Sequence, residues 1–107
     1  MDVEWRSEND RAQVEKLARK SSVTERRMQR LVAAKNFLDI QHPANGRAHF
    51  LHEEYEGYFA LDLESKTRPA RLICRPIGDF KKVGSQYVKE SITKIEIVKI
   101  EEDYHKK

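Results

Sequence analysis

The residues of this chain that can hold a phosphate or move a proton fall into three groups. Arg71 and Arg75 lie in the run Arg71-Leu-Ile-Cys-Arg-Pro76. As a strand, this run puts Leu72 and Cys74 on one face and Arg71, Ile73 and Arg75 on the other, away from the core. Guanidinium groups on a rigid strand suit a phosphate, although taken alone they read first as a solvated strand face. His105 stands beside Tyr104 and Asp103. Histidine titrates near neutral pH, so beside a phenolic hydroxyl it can exchange protons with a ribose or a leaving oxygen; a frayed tail is the other account. His49 and His52 are three apart, which turns them to opposite faces of a strand and keeps them from chelating one metal unless the backbone bends. His42 precedes Pro43 in a turn and is read as incidental.

No phosphate-binding glycine loop, zinc-ligand pair set or nucleophile elbow is present in the sequence, so nucleotide-cofactor, structural-zinc and acyl-transfer chemistry have no support. What remains is His, Tyr, Arg and Lys, with no cofactor and no metal. That inventory suits cleavage of RNA by its own 2′-hydroxyl, which needs a proton acceptor, a proton donor and cations for the phosphorane charge.

These residues must be positioned by a hairpin running from Gly57 to Pro76. In its first arm Phe59, Leu61 and Leu63 alternate with Tyr58, Ala60 and Asp62, the period of a strand with one buried face. The connection from Glu64 to Pro69 is polar and turns. Upstream, Val3 and Trp5 mark a short edge strand, Asp10 to Lys20 has helical spacing at Val14, Leu17 and Ala18, and Ser21-Ser22 breaks that helix. A second helix is expected from Thr24 to about Leu38, with Met28, Leu31, Val32 and Leu38 as its apolar stripe. Arg26, Arg27 and Arg30 lie outside that stripe and are read as a solvated face before an RNA-facing one. Pro43, Asn45 and Gly46 mark a turn, Arg47 to His52 is extended, and Gly78 to Ser91, with Lys81 and Lys82, is expected to be a basic loop without a period. In the last strand, Ile92 to Ile100, the inward phase changes between Ile97 and Val98, which burial on both faces or a bulge would accommodate. The implied class is α+β: a short N-terminal strand and a two-helix hairpin packed on a mostly antiparallel sheet, as one domain over residues 1–107.

Composition narrows the partner. Of 107 residues, 36% are charged and the formal net charge is +3, with the excess unevenly placed. Residues 53–64 carry five acidic and no basic side chains, whereas residues 66–107 carry eleven basic against six acidic. A basic C-terminal half favours a polyanion such as RNA. With one cysteine, Cys74 inside a strand, no apolar run long enough to span a bilayer, and no signal-peptide pattern at Met1 to Arg6, the expectation is an intracellular chain without membrane contact whose cysteine serves packing.

Three patterns in this order, Arg47-Ala-His-Phe-Leu-His52 leading into Glu56-Gly-Tyr-Phe-Ala-Leu-Asp-Leu63, then Arg71-Leu-Ile-Cys-Arg-Pro76, then Ile95-Glu-Ile-Val-Lys-Ile-Glu-Glu-Asp-Tyr-His105, together resemble the RelE/ParE superfamily of toxin–antitoxin toxins, particularly the HigB-type plasmid-maintenance killer proteins. A helix ending Arg30-Leu-Val-Ala-Ala-Lys-Asn-Phe-Leu-Asp39 before the first pattern is also similar. The resemblance implies a ribosome-dependent mRNA endonuclease that inhibits translation, needs no metal and is neutralised by a helix-turn-helix antitoxin of the HigA kind. It matches His49 to the histidine of a His-x-Leu segment, Arg71 to the arginine opening an Arg-Leu-Ile strand, and Tyr104 and His105 to a terminal Asp-Tyr-His. The expected catalytic set is therefore His105 moving a proton, Tyr104 orienting base or ribose, Arg71 with Arg75 on the scissile phosphate, and His49 or His52 assisting. Arg75, Arg68, Lys66, Lys81 and Lys82 are the expected RNA contacts. The sequence departs from the family at His52, where a lysine is usual, and at Glu53, where a glycine is usual, so a cationic contact there depends on the charge of a histidine beside an acid. A ParE-like gyrase inhibitor and a degenerate toxin that only binds its antitoxin are the alternatives on the same scaffold.

Overall fold

The computed structural model describes residues 1–64 and 69–102. Strand β1 (Asp2–Trp5) leads into helices α1 (Glu8–Lys20), α2 (Ser22–Ala33) and α3 (Phe37–Gln41). Strands β2 (His49–Phe50), β3 (Phe59–Glu64), β4 (Ala70–Pro76), β5 (Lys82–Val83), β6 (Gln86–Tyr87) and β7 (Lys94–Glu102) follow. A five-stranded sheet has the order β1-β7-β4-β3-β2, with β1 parallel to β7 and every other pairing antiparallel. The α+β reading and the edge position of β1 hold. Among the described residues, no helix is long and apolar enough to cross a membrane.

One serine separates the first two helices. Asp10 N–H donates to Ser7 Oγ at the start of α1, and Ser21, which ends α1, accepts from Thr24 N–H at 3.2 Å to start α2, so the turn is made by a shared cap. Helix α2 stops at Ala33 rather than running to Leu38. Ala34 has an extended backbone, and Asn36 starts α3 by accepting from Leu38 N–H at 2.9 Å. The break resets the helical phase. Phe37 and Ile40 become fully buried, whereas Val32 and Leu38, expected in the apolar stripe, are 60% and 47% exposed.

The core lies between the helices and one face of the sheet. Phe59, Leu61, Leu63, Leu72, Cys74 and Ile95 are all fully buried, as their alternation requires. Burial pushes the Cys74 thiol far above its ordinary range. Opposite β4, the register of β7 slips between Cys74↔Ile97 and Ile73↔Lys99, so Val98 is the extra residue of a bulge. Ile97 and Ile100 can then both face inward, which resolves the phase change read from the sequence. One expectation fails on the opposite face. Ala60 and Ile73, cross-strand partners assigned to the solvent side, are fully buried, so the middle of the sheet is covered on both sides.

The segment from Gly78 to Ser91 is not a loop without structure. Strands β5 and β6 pair through Lys82↔Tyr87 and Val83↔Gln86 around Gly84, whose φ of +64° is the left-handed backbone that glycine accepts at the first central position of a tight hairpin. Two-residue strands show no period, so the sequence hides them.

Candidate functional site

The registers fix which side chains share the sheet face turned away from the helices. Across the strands they form three rows: Asp62, Arg71 and Glu101; His49, Ala60, Ile73 and Lys99; and Arg75, Glu96 and Glu4. The middle row supplies an apolar floor at Ala60 and Ile73. The outer rows are charged.

Each outer row has a carboxylate shared by two cations. Glu101 Oε1 accepts from Arg71 Nε at 2.8 Å, and its other oxygen lies 3.3 Å from Lys99 Nζ. Glu96 Oε1 accepts from Arg75 Nε at 2.6 Å and from Arg6 at 2.9 Å. The Glu96 carboxyl is held below its usual range by these bonds, Arg75 first and Arg6 second. Burial pushes Glu101 upward, but the bonds from Arg71 and Lys99 outweigh it and leave the group depressed. Lys99 also donates to Tyr55 Oη at 3.1 Å, which raises its pKa. The remaining acids of these rows are paired as well, Asp62 with Arg47 and Glu4 with Lys94, so each row is a mixed ion-pair network.

Arg71 and Arg75 therefore share a face, as their alternation predicts, but they do not converge. Four residues of strand separate their backbones by roughly 13 Å, and each is bound to a different carboxylate. The register and the separate ion pairs hold the two guanidinium groups apart and do not bring them to one point.

His49 sits in the middle row with Nδ1 2.9 Å from the carbonyl oxygen of Arg47. Arg47 in turn ion-pairs with Asp62 at 3.1 Å, directly opposite Arg71. His52 is elsewhere. It precedes a 3-10 turn, Glu53–Tyr55, whose Tyr55 N–H donates to the His52 carbonyl oxygen, and it lines a cleft facing the β5–β6 ribbon, whereas His49 lies in the middle row of the sheet face. Glu53 has φ +60°, a left-handed backbone that costs a side-chain-bearing residue about 1–2 kcal/mol. His42 Nδ1 accepts from Ala44 N–H at 3.1 Å and caps the turn at Pro43–Asn45. Lys82 lies over the Tyr87 ring at 4.7 Å, and Lys81 precedes it at the entry to the ribbon. Tyr104, His105, Lys66 and Arg68 lie outside the described residues. Among the described residues, no cluster of three or more His, Cys, Asp or Glu side chains could hold a metal.

Arg6, Glu96, Lys99, Glu101 and Tyr55 were missed from the sequence. The polar positions of β7 did carry a signal, because Glu96 before the bulge and Lys99 and Glu101 around the next inward isoleucine fall on one face only once Val98 is skipped. Compared with known proteins, the chain matches no family model, no curated protein and no solved structure.

Proposed function

We propose that this chain is the toxin of a type II toxin–antitoxin pair of the RelE/ParE kind, a ribosome-dependent mRNA endonuclease that acts without a metal and is neutralised by a helix-turn-helix antitoxin. The observation that carries the reading is the pair of cation trios on one sheet face, Arg71–Glu101–Lys99 and Arg6–Glu96–Arg75. A carboxylate that orients two cations fixes their guanidinium and ammonium groups on the sheet face, from which they can contact a phosphate. In this reading Arg71 binds the scissile phosphate and Arg75 a neighbouring one. His105 transfers the proton and Tyr104 orients the base or ribose. The left-handed backbone at Glu53 supports the resemblance independently, since it falls where such toxins carry a glycine.

Primer extension on a message translated by purified ribosomes tests the proposal. The wild-type chain should cut the message. His105→Ala and Arg71→Ala should each lower cleavage by roughly 10²–10⁴-fold, one by removing a general acid–base group and the other by removing charge stabilisation. His42→Ala should not change the cut. An intact message with arrested growth would favour the gyrase inhibitor. A message left intact without arrest would favour a chain that only binds its antitoxin, a reading to which the carboxylate partners of Arg71 and Arg75 lend weight.

A further inference from the structure

Two phenols lie between the two trios of the ion-paired face. Tyr55 closes the turn Glu53–Tyr55, its carbonyl oxygen accepts from Tyr58 N–H at 2.9 Å, and Tyr58 directly precedes β3. The turn therefore stands at the start of β3, two strand spacings or roughly 10 Å from β7. The Tyr55 side chain closes that gap, because its hydroxyl oxygen accepts from Lys99 Nζ, on β7, at 3.1 Å. The Tyr55 and Tyr58 rings are 6.4 Å apart. Tyr58 lies beside Arg6, whose pKa is raised first by its bond to Glu96 and, more weakly, by Tyr58. The path from the turn to Lys99 crosses the middle of the sheet, where Ala60 and Ile73 face away from the helices and are nevertheless fully buried.

Donor and acceptor are unambiguous in the bond between Tyr55 and Lys99. An ammonium carries three donors and no acceptor, so the phenolic oxygen accepts and keeps its own proton for another partner. Among the described residues that proton has no acceptor. Lys99 is in turn 3.3 Å from Glu101, the carboxylate bound by Arg71, so two groups join the Tyr55 hydroxyl to the guanidinium read as the phosphate ligand. Lys99 keeps its proton, its pKa being raised chiefly by the bond to Tyr55, with Glu101 adding and burial opposing. Cleavage of RNA by its 2′-hydroxyl moves two protons, one from the attacking hydroxyl and one to the departing 5′-oxygen, and the reading above assigns only His105 to them. Resting on that reading, we propose that Tyr55 is a catalytic residue, the proton donor to the leaving 5′-oxygen of a phosphate held between Arg71 and Lys99. In this step the 2′-oxygen loses its proton to His105 and bonds to phosphorus, the bond from phosphorus to the 5′-oxygen breaks, and that oxygen takes the Tyr55 proton. A 2′,3′-cyclic phosphate and a 5′-hydroxyl result. The phenolate keeps the Lys99 ammonium as its counter-charge and recovers a proton from water.

The test uses the full chain on ribosomes carrying either of two synthetic messages, one natural and one in which sulfur replaces the 5′-oxygen at the cut position. A thiol, with a pKa of about 8.5, departs without a proton, so the sulfur message does not need the donor. In single-turnover cleavage Tyr55→Phe, which keeps the ring and removes the hydroxyl, should lower the rate on the natural message by roughly 10²–10⁴-fold and leave the rate on the sulfur message near that of wild type. Should that variant fail to fold, a ring-fluorinated tyrosine introduced at position 55 asks the same question with the shape kept. Its more acidic phenol should speed cleavage of the natural message and not of the sulfur one. Equal changes on both messages, or no change on either, would refute Tyr55 as the donor and leave the RNA reading intact. Failure of the wild-type chain to cut either message would overturn that reading, and the role of Tyr55 with it.

Discussion

Arg71 and Glu101 stand directly opposite one another across the β4–β7 ladder, and the guanidinium Nε donates to the carboxylate at 2.8 Å. Both side chains are about one-fifth exposed, so the bond is partly shielded from water and Glu101 cannot be removed without consequence. Glu101→Gln should lower stability by about 1.5–3 kcal/mol, the range for a hydrogen bond to a charged group, measured by urea unfolding. The same substitution removes one negative charge beside Arg71 and Lys99. Under the RNA reading it should tighten binding of a single-stranded oligoribonucleotide at low salt, so the variant is less stable and binds more strongly.

The two depressed carboxylates make an acid limb in the stability profile. A carboxyl whose folded pKa lies below its unfolded value contributes stability above the ordinary range and loses it as pH falls through the folded value. For Glu96 and Glu101, whose ordinary pKa is 4.5, stability should be level from neutrality to about pH 5 and should decline below about pH 4.5. Glu96→Gln with Glu101→Gln should start lower and decline less steeply. Urea midpoints at a series of pH values decide it, and an unchanged slope in the double variant would remove these groups as its cause.

The strand phases were legible because period-two alternation at Phe59, Leu61 and Leu63 and at Leu72 and Cys74 has one physical meaning, a buried face. The break after Ala33 was not legible. Leu31, Val32, Phe37 and Leu38 fit one continuous stripe equally well; the Asn36 cap favours the broken form locally, and the bond from Phe37 N–H to the Ile92 carbonyl oxygen, 55 residues on in the chain, fixes it. The ion-paired face was half legible. Arg71 and Arg75 announce themselves by spacing, but their partners Glu101 and Glu96 depend on a cross-strand register that includes a bulge, and Arg6 arrives through a parallel pairing of chain ends. Such long-range pairings leave no local pattern.

Backbone strain near the site gives a third prediction. Glu53 at φ +60° is strained, so Glu53→Gly should stabilise the chain by about 0.5–1 kcal/mol after the greater entropy of an unfolded glycine is allowed for. Gly46 is the opposite case. At φ +109°, an added Cβ would lie 2.7 Å from Leu61 Cδ1 and 3.1 Å from the Asp62 carbonyl oxygen. Gly46→Ala should therefore destabilise by about 1–3 kcal/mol, and thermal melts of the two variants should move in opposite directions.

The separation of Arg71 from Arg75 yields the sharpest test of how RNA would lie on the sheet. Each phosphate neutralised on a single strand contributes about 0.7 to the slope of log affinity against log salt. Arg71→Ala and Arg75→Ala should each flatten the slope by about that amount. If the two arginines serve different phosphates, as their roughly 13 Å separation and separate carboxylates require, the double variant should lose about twice as much, because distant sites act independently. If they closed on one phosphate, the second substitution would remove little beyond the first. Fluorescence anisotropy of a labelled oligoribonucleotide between low and physiological salt measures all four slopes. A double variant no flatter than Arg71→Ala alone would restore the single-phosphate arrangement that the register argues against.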